Sequence, residues 1–155
     1  MFQPTNRIVL SVPHFKQQSE GDCLAACALM VMMYYNQTVR YRRLLRVLGT
    51  QEYGTPFSNL RRLNEFGYAV EITNGTLEQL YLQLLQRRPT ISSVQTSQLP
   101  YWPRASEHAV AIVGMDDRYV YVNDPVLDNG PTPVPLGDFD LAWLEQDELC
   151  AVITP

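Results

Sequence analysis

No apolar run in the 155-residue chain approaches the roughly 18–20 residues that a membrane-spanning helix needs. The amino terminus, Met1-Phe2-Gln3-Pro4-Thr5-Asn6-Arg7, lacks the charged-then-apolar build of a signal peptide, so the expected compartment is the cytoplasm. Cysteine is scarce and odd in number: Cys23, Cys27 and Cys150. That argues against a disulfide scaffold and turns attention to thiol chemistry. Positive charge is also short, with Lys+Arg 12 against Asp+Glu 16 and a net charge of −4. Neither nucleic acid nor an anionic membrane is an expected partner. There is no internal repeat, linker or low-complexity tract.

What is present is an apolar, weakly charged chain, 46% hydrophobic and 18% charged, long enough for one domain over residues 1–155. Arg7 to Pro13 reads as a short edge strand stopped by proline. Cys23 to Tyr35 is apolar on every side, which suits a helix buried in a core, with Asp22 as its N-cap. Amphipathic helices are expected from Arg40 to Leu48, from Pro56 to Gly67 and from Thr76 onward. Strands are expected at Tyr68–Ile72, Pro89–Val94, His108–Gly114, Tyr119–Asn123 and Leu149–Ile153, with a short helix from Phe139 to Glu145. The proline-rich stretch Asn129–Pro135 reads as a loop. Helices come first and an antiparallel sheet later, the order of an α+β fold.

Cys23 stands at the start of the apolar helix, where unpaired N–H groups and the helix dipole favour an anion. The thiolate is the reactive form of cysteine; a small buried hydrophobe is the bland alternative. Gln17, in the polar loop before the helix, could supply an amide to an oxyanion hole together with the Cys23 N–H. His108 opens the most apolar strand and could serve as general base for a nearby thiol. The next strand ends in Asn123-Asp124-Pro125, and antiparallel pairing brings that end beside His108, so Asn123 or Asp124 could fix the imidazole tautomer.

The ordered set Gln17-x4-Asp22-Cys23-x-Ala-Ala-Cys27, His108-Ala-Val-x-x-x-Gly114 and Val122-Asn-Asp-Pro125 resembles the bacteriocin-processing, double-glycine-leader cysteine peptidases. The resemblance runs from Val12-Pro13 to Ala151-Val-Ile153 and includes Phe139-x3-Trp143. It implies a papain-like fold, N-terminal helices packed on a C-terminal antiparallel sheet. It also implies Cys23 as nucleophile, His108 as general acid/base, Asp124 as its orienting partner and Gln17 as oxyanion donor. The implied partner is a peptide or protein substrate, with no cofactor and no metal. Leu24 departs from the pattern, since glycine commonly follows the nucleophile in that family. The length fits one peptidase unit without an attached exporter. A peptide-binding module that does not cleave, and acyl transfer or amide hydrolysis on a non-peptide substrate, are the alternatives.

Cys27, one helical turn from Cys23, and Cys150 read as packing residues. His14 would complete a Cys2His2 set with Cys23, Cys27 and His108, but without the compact spacing of a structural zinc site. Arg40, Arg42, Arg43, Arg46, Arg61 and Arg62 form the one basic concentration, a solvated face or a dock for an acidic partner or substrate segment. Tyr101-Trp102-Pro103 reads as an aromatic rim for an extended peptide or as core cover.

Overall fold

A strand whose residues are apolar on both sides must be covered on both sides, and the His108 strand is built that way. In the computed structural model, which describes residues 2–155, this strand (β4, Glu107–Met115) runs through the middle of a seven-stranded sheet. Ala109, Ala111 and Val113 face one core, while Val110, Ile112 and Met115 face a second. The first core is closed by the buried helix α1 (Cys23–Tyr34), by α2 (Tyr41–Leu48) and by a 3-10 coil over Phe57–Phe66. The second is closed by α3 (Leu77–Leu85) and α4 (Leu136–Leu144). Helices thus cover both faces of the sheet.

The remaining strands are β1 (Ile8–Val9), β2 (Ala69–Asn74), β3 (Thr90–Gln95), β5 (Tyr119–Asn123), β6 (Thr132–Pro135) and β7 (Leu149–Thr154). The sheet order is β2-β7-β3-β4-β5-β6, and β1 pairs with β4 beyond the end of β3. Every pairing is antiparallel. The proline-rich stretch expected as a loop ends in β6, an edge strand. Pro133 and Pro135 alternate with Thr132 and Val134, so the two missing N–H groups fall on one side of the strand. The unoccupied edge of β6 is that side, leaving Thr132 and Val134 free to serve the ladder to β5.

Local signals hold elsewhere. Gly49 and Gly67 end their segments at φ +70° and +93°, backbone that glycine adopts without strain. Thr76 caps α3 through a reciprocal capping box with Gln79. The Pro56–Gly67 segment winds as a 3-10 coil rather than an α-helix. Asp22 occupies the N-cap position of α1, but its side chain makes no capping bond. Among the described residues no helix is long and apolar enough to cross a membrane.

Candidate functional site

Asp22 has a different task. Its buried carboxylate accepts from the Gln18 N–H (2.9 Å), the Ser19 N–H (2.8 Å) and the Tyr41 hydroxyl (2.6 Å). It thereby folds the 17–22 loop over the start of α1 and ties it to α2. Close approach from the other side is made possible by Gly21, against which the carbonyls of Gln51 and Glu52 lie directly. The loop is therefore held before any substrate arrives.

Cys23 is the first residue of α1 and is half-buried at the base of a cleft of about 680 Å³. Gln17, Phe57, Trp102 and His108 line the same cleft. The Gln17 amide donates to the Ser19 carbonyl at 2.6 Å, while its Oε1 is buried without a partner. The Glu20 carbonyl lies 3.5 Å from the same nitrogen, so the Gln17 amide is turned to the backbone of its own loop.

His108 and Asp124 meet across the β4–β5 pairing, with Nε2 of the imidazole 2.6 Å from Oδ1. Between the two expected candidates at the end of β5, the carboxylate takes the histidine. The Asn123 amide instead donates to the Val12 carbonyl at 3.1 Å. Asp124 is fully buried and its Oδ2 accepts from the Tyr101 hydroxyl (2.7 Å) and the Trp102 indole (2.9 Å). The Val126 N–H adds a bond to Oδ1 at 3.0 Å. Burial pushes the carboxyl up, but the His108 hydrogen bond and charge and these further donors outweigh it and hold Asp124 below its ordinary range. Burial likewise disfavours the charged imidazole, but the Asp124 hydrogen bond, the neighbouring Cys23 thiol and the two groups' charges raise His108 from 6.5 to about 9. Both shifts favour the imidazolium–carboxylate form of the pair.

The Tyr101-Trp102 pair is neither a simple rim nor core cover. Both side chains bind the carboxylate behind His108, and the indole also meets the imidazole edge-on with centroids 4.7 Å apart. Sequence reasoning missed this role. The available signal was two aromatic side chains with polar tips placed a few residues before the histidine strand, since such tips seek partners when buried. The loop that carries them is pinned by Thr96, whose hydroxyl donates to the Arg104 carbonyl (2.8 Å), and by Gln95, whose Oε1 accepts from the Ser106 N–H (2.9 Å).

The other cysteines pack. Cys27 is fully buried with its thiol toward the Ala109 carbonyl at 3.5 Å, and burial pushes that thiol well above its ordinary range. His14 joins the site's periphery, its Nε2 donating to the Leu127 carbonyl at 2.7 Å. Among the described residues no cluster of three or more His, Cys, Asp or Glu is arranged to hold a metal ion.

A cysteine at the head of a buried helix, facing a histidine on a central antiparallel strand, defines the class: a papain-like cysteine peptidase fold. The chain belongs to the Peptidase_C39-like family, whose model matches residues 9–150. Its family and fold make it a cysteine peptidase. Among solved structures it is similar to a C39-like peptidase from Bacillus anthracis, with a TM-score of 0.81 at 17% identity over 97% of this chain and 98% of that one. It is similar too to a double glycine motif protease from an AMS/PCAT transporter, solved in complex with the leader peptide (TM-score 0.77, 23% identity, 100% and 99% covered). The peptidase domain of Streptococcus ComA, a bi-functional ABC transporter, gives a TM-score of 0.73 at 17% identity over 92% of this chain and 97% of that one. No curated protein matches the sequence.

Proposed function

We propose that this peptidase hydrolyses a peptide or protein substrate with Cys23 as nucleophile, His108 as general acid and base, Asp124 as the group that orients His108, and Gln17 as an oxyanion donor. The observation that carries the reading is His108 at the cleft wall, near Cys23 on the open side and 2.6 Å from Asp124 on the buried side. With Nε2 committed to Asp124, Nδ1 is the nitrogen left to exchange a proton with the thiol.

The sulfur, its proton passed to His108, attacks the scissile carbonyl carbon and the C=O electron pair moves onto oxygen. The Cys23 N–H, unpaired in the first turn of α1, and the Gln17 amide, once turned from the Ser19 and Glu20 carbonyls, receive that oxyanion. Collapse breaks the C–N bond as His108 protonates the leaving amine. A water then attacks the thioester, giving its proton to His108, and the acid departs as the thiol is restored. Asp124 stays ionised throughout and keeps the ring turned.

Leu24 is compatible with this chemistry. Its side chain is buried in the first core, so it forms the cleft base rather than a plug across it. Because one neighbour was solved with a leader peptide, leader-like peptides are the first substrates to try. Cys23→Ala should abolish hydrolysis while leaving the fold and melting temperature near wild type. A peptide chloromethyl ketone, whose methylene carbon bonds the thiolate sulfur as chloride leaves, should label wild type at Cys23 alone. Cleavage by the alanine variant, or wild type that neither cleaves nor is labelled, would sink the proposal.

A further inference from the structure

The arginines are the feature that the peptidase chemistry leaves unused. Residues 40–66 carry six arginines and two acids, Glu52 and Glu65, a net +4 against −8 for the rest of the chain. Arg40, Arg42, Arg43, Arg46, Arg61 and Arg62 are all exposed. Among the described residues the ion pairs are Lys16–Asp128, Arg104–Glu20 and His108–Asp124, so none of the six is paired with an acid. Two of them knit the surface together. Arg43 stacks over Phe66 at 5.0 Å, and Arg62 reaches the Val47 carbonyl at 3.4 Å, so both straddle the seam between α2 and the 57–66 coil. Arg42 and Arg46 are one turn apart on α2 and share a face.

The coil begins at the cleft, and α2 is tied to the loop that borders it. α2 starts at Tyr41, whose hydroxyl holds Asp22 beside Cys23. The coil starts at Phe57, which with Thr55 and Pro56 lines the cleft wall. Arg61 and Arg62 lie four and five residues past Phe57 on the same coil, exposed beside the buried Leu60 and Leu63. Six exposed arginines on these two adjoining elements, outnumbering the acids Glu52 and Glu65 and none in an ion pair, repel one another, and an anionic chain would relieve that repulsion.

We propose that the arginine surface of α2 and the 57–66 coil is an exosite that grips an acidic segment of the peptide substrate lying beyond the scissile stretch. The exosite rests on the peptidase reading above for its place in function, but its binding is measurable without catalysis.

Fluorescein-labelled octaglutamate, octaserine and octalysine are titrated against the Cys23→Ala protein by anisotropy. Octaglutamate should bind, with an affinity that falls as salt rises, and the other two should not. Arg42→Glu/Arg46→Glu should weaken binding about tenfold, by removing two exposed pairs and adding repulsion. Arg42→Gln/Arg46→Gln, the milder replacement should the charge reversal fail to fold, should lie between. In wild type, a cleavable reporter peptide extended with glutamates at one end should show a lower KM at unchanged kcat, and the charge reversal should cancel that gain. Equal binding of octaserine, octaglutamate binding that survives both double variants, or tighter binding of a single-stranded RNA of equal charge overturns the exosite. Octaglutamate binding without hydrolysis of any peptide would instead count against the peptidase reading alone.

Discussion

The backbone N–H of Gln17 donates to the carbonyl of Pro125 at 2.7 Å, joining the loop before the nucleophile to the turn that follows the buried carboxylate. It is one rung of a longer seam. The Asn123 amide reaches the Val12 carbonyl, His14 reaches the Leu127 carbonyl, and Lys16 pairs with Asp128 at 2.6 Å. The segment from Val12 to Gln17 is thus a strap laced to Asn123–Asp128, so that the proposed oxyanion donor and the proposed orienting carboxylate share one support.

His14 is the half-buried side-chain rung of that strap, and its removal should be felt at the site. His14→Leu keeps bulk but loses the donor, and should cost about 1–3 kcal/mol because it leaves a carbonyl unpaired. It should also lower kcat more than it changes KM. His14→Gln, which retains an N–H donor, should recover part of both losses. The exposed Lys16–Asp128 rung should matter little, so Lys16→Ala should stay within about 0–1 kcal/mol of wild type. Denaturant melts with peptide kinetics decide it. Equal loss of kcat in the leucine and glutamine variants would reduce His14 to packing.

Most of this site was legible because its parts are local patterns. A polar loop, a cysteine at a helix start and a histidine opening an apolar strand are read from spacing, and antiparallel pairing brings Asp124 to His108. The uncovered parts depend on contacts between distant segments. Nothing in the spacing places Tyr101 and Trp102 on Asp124, because that contact requires the pinned 96–106 loop to fold back. Asp22 was expected as a cap since caps are its commonest use, but three donors from the loop and α2 compete for it and win. The β6 strand was hidden by prolines, whose alternation is harmless only at a sheet edge.

Tyr101→Phe tests the aromatic clamp. Losing the hydroxyl removes one donor that disperses the Asp124 charge, so more of that charge acts on His108. The imidazole should then titrate higher than its wild-type value of about 9, which NMR of a two-histidine protein can follow. Activity should fall, since a more basic imidazolium gives its proton to the leaving amine less readily. Trp102→Phe should do the same and also admit water beside the ring. A His108 titration that does not move in Tyr101→Phe would show the clamp to be mere packing.

Gly21→Ala is expected to disturb activity through the loop rather than through the chemistry. A Cβ on Gly21 would fall 2.5 Å from the Glu52 carbonyl oxygen and closer still to that of Gln51, both of them backbone atoms that cannot swing aside. Either the 51–54 turn or the 17–22 loop must move, at a cost of about 1–3 kcal/mol. Displacement of the loop shifts Gln17, so kcat should fall with KM. A crystal structure of the variant locates the movement; an unmoved loop with wild-type kinetics would contradict it.

The His108–Asp124 pair also makes stability depend on pH. His108 is raised from 6.5 to about 9 in the fold, so the folded state binds its proton more tightly than the unfolded chain does. The resulting stabilisation is complete below about pH 6.5 and disappears as pH rises through about 9, on the order of 3 kcal/mol across that window. Asp124 works in the opposite direction: its lowered titration favours the fold above the ordinary carboxylate range, and that contribution is lost as pH falls through its depressed folded value. Cys27, held protonated by burial, adds a loss only where the unfolded thiol ionises, around its ordinary 9.0 and above. Urea unfolding at steps between pH 6 and 9 should therefore show wild type losing stability as pH rises. His108→Gln should be less stable throughout, because Asp124 is left buried without its cation, yet nearly flat across the same range. An equal slope in both proteins would place the linked proton elsewhere.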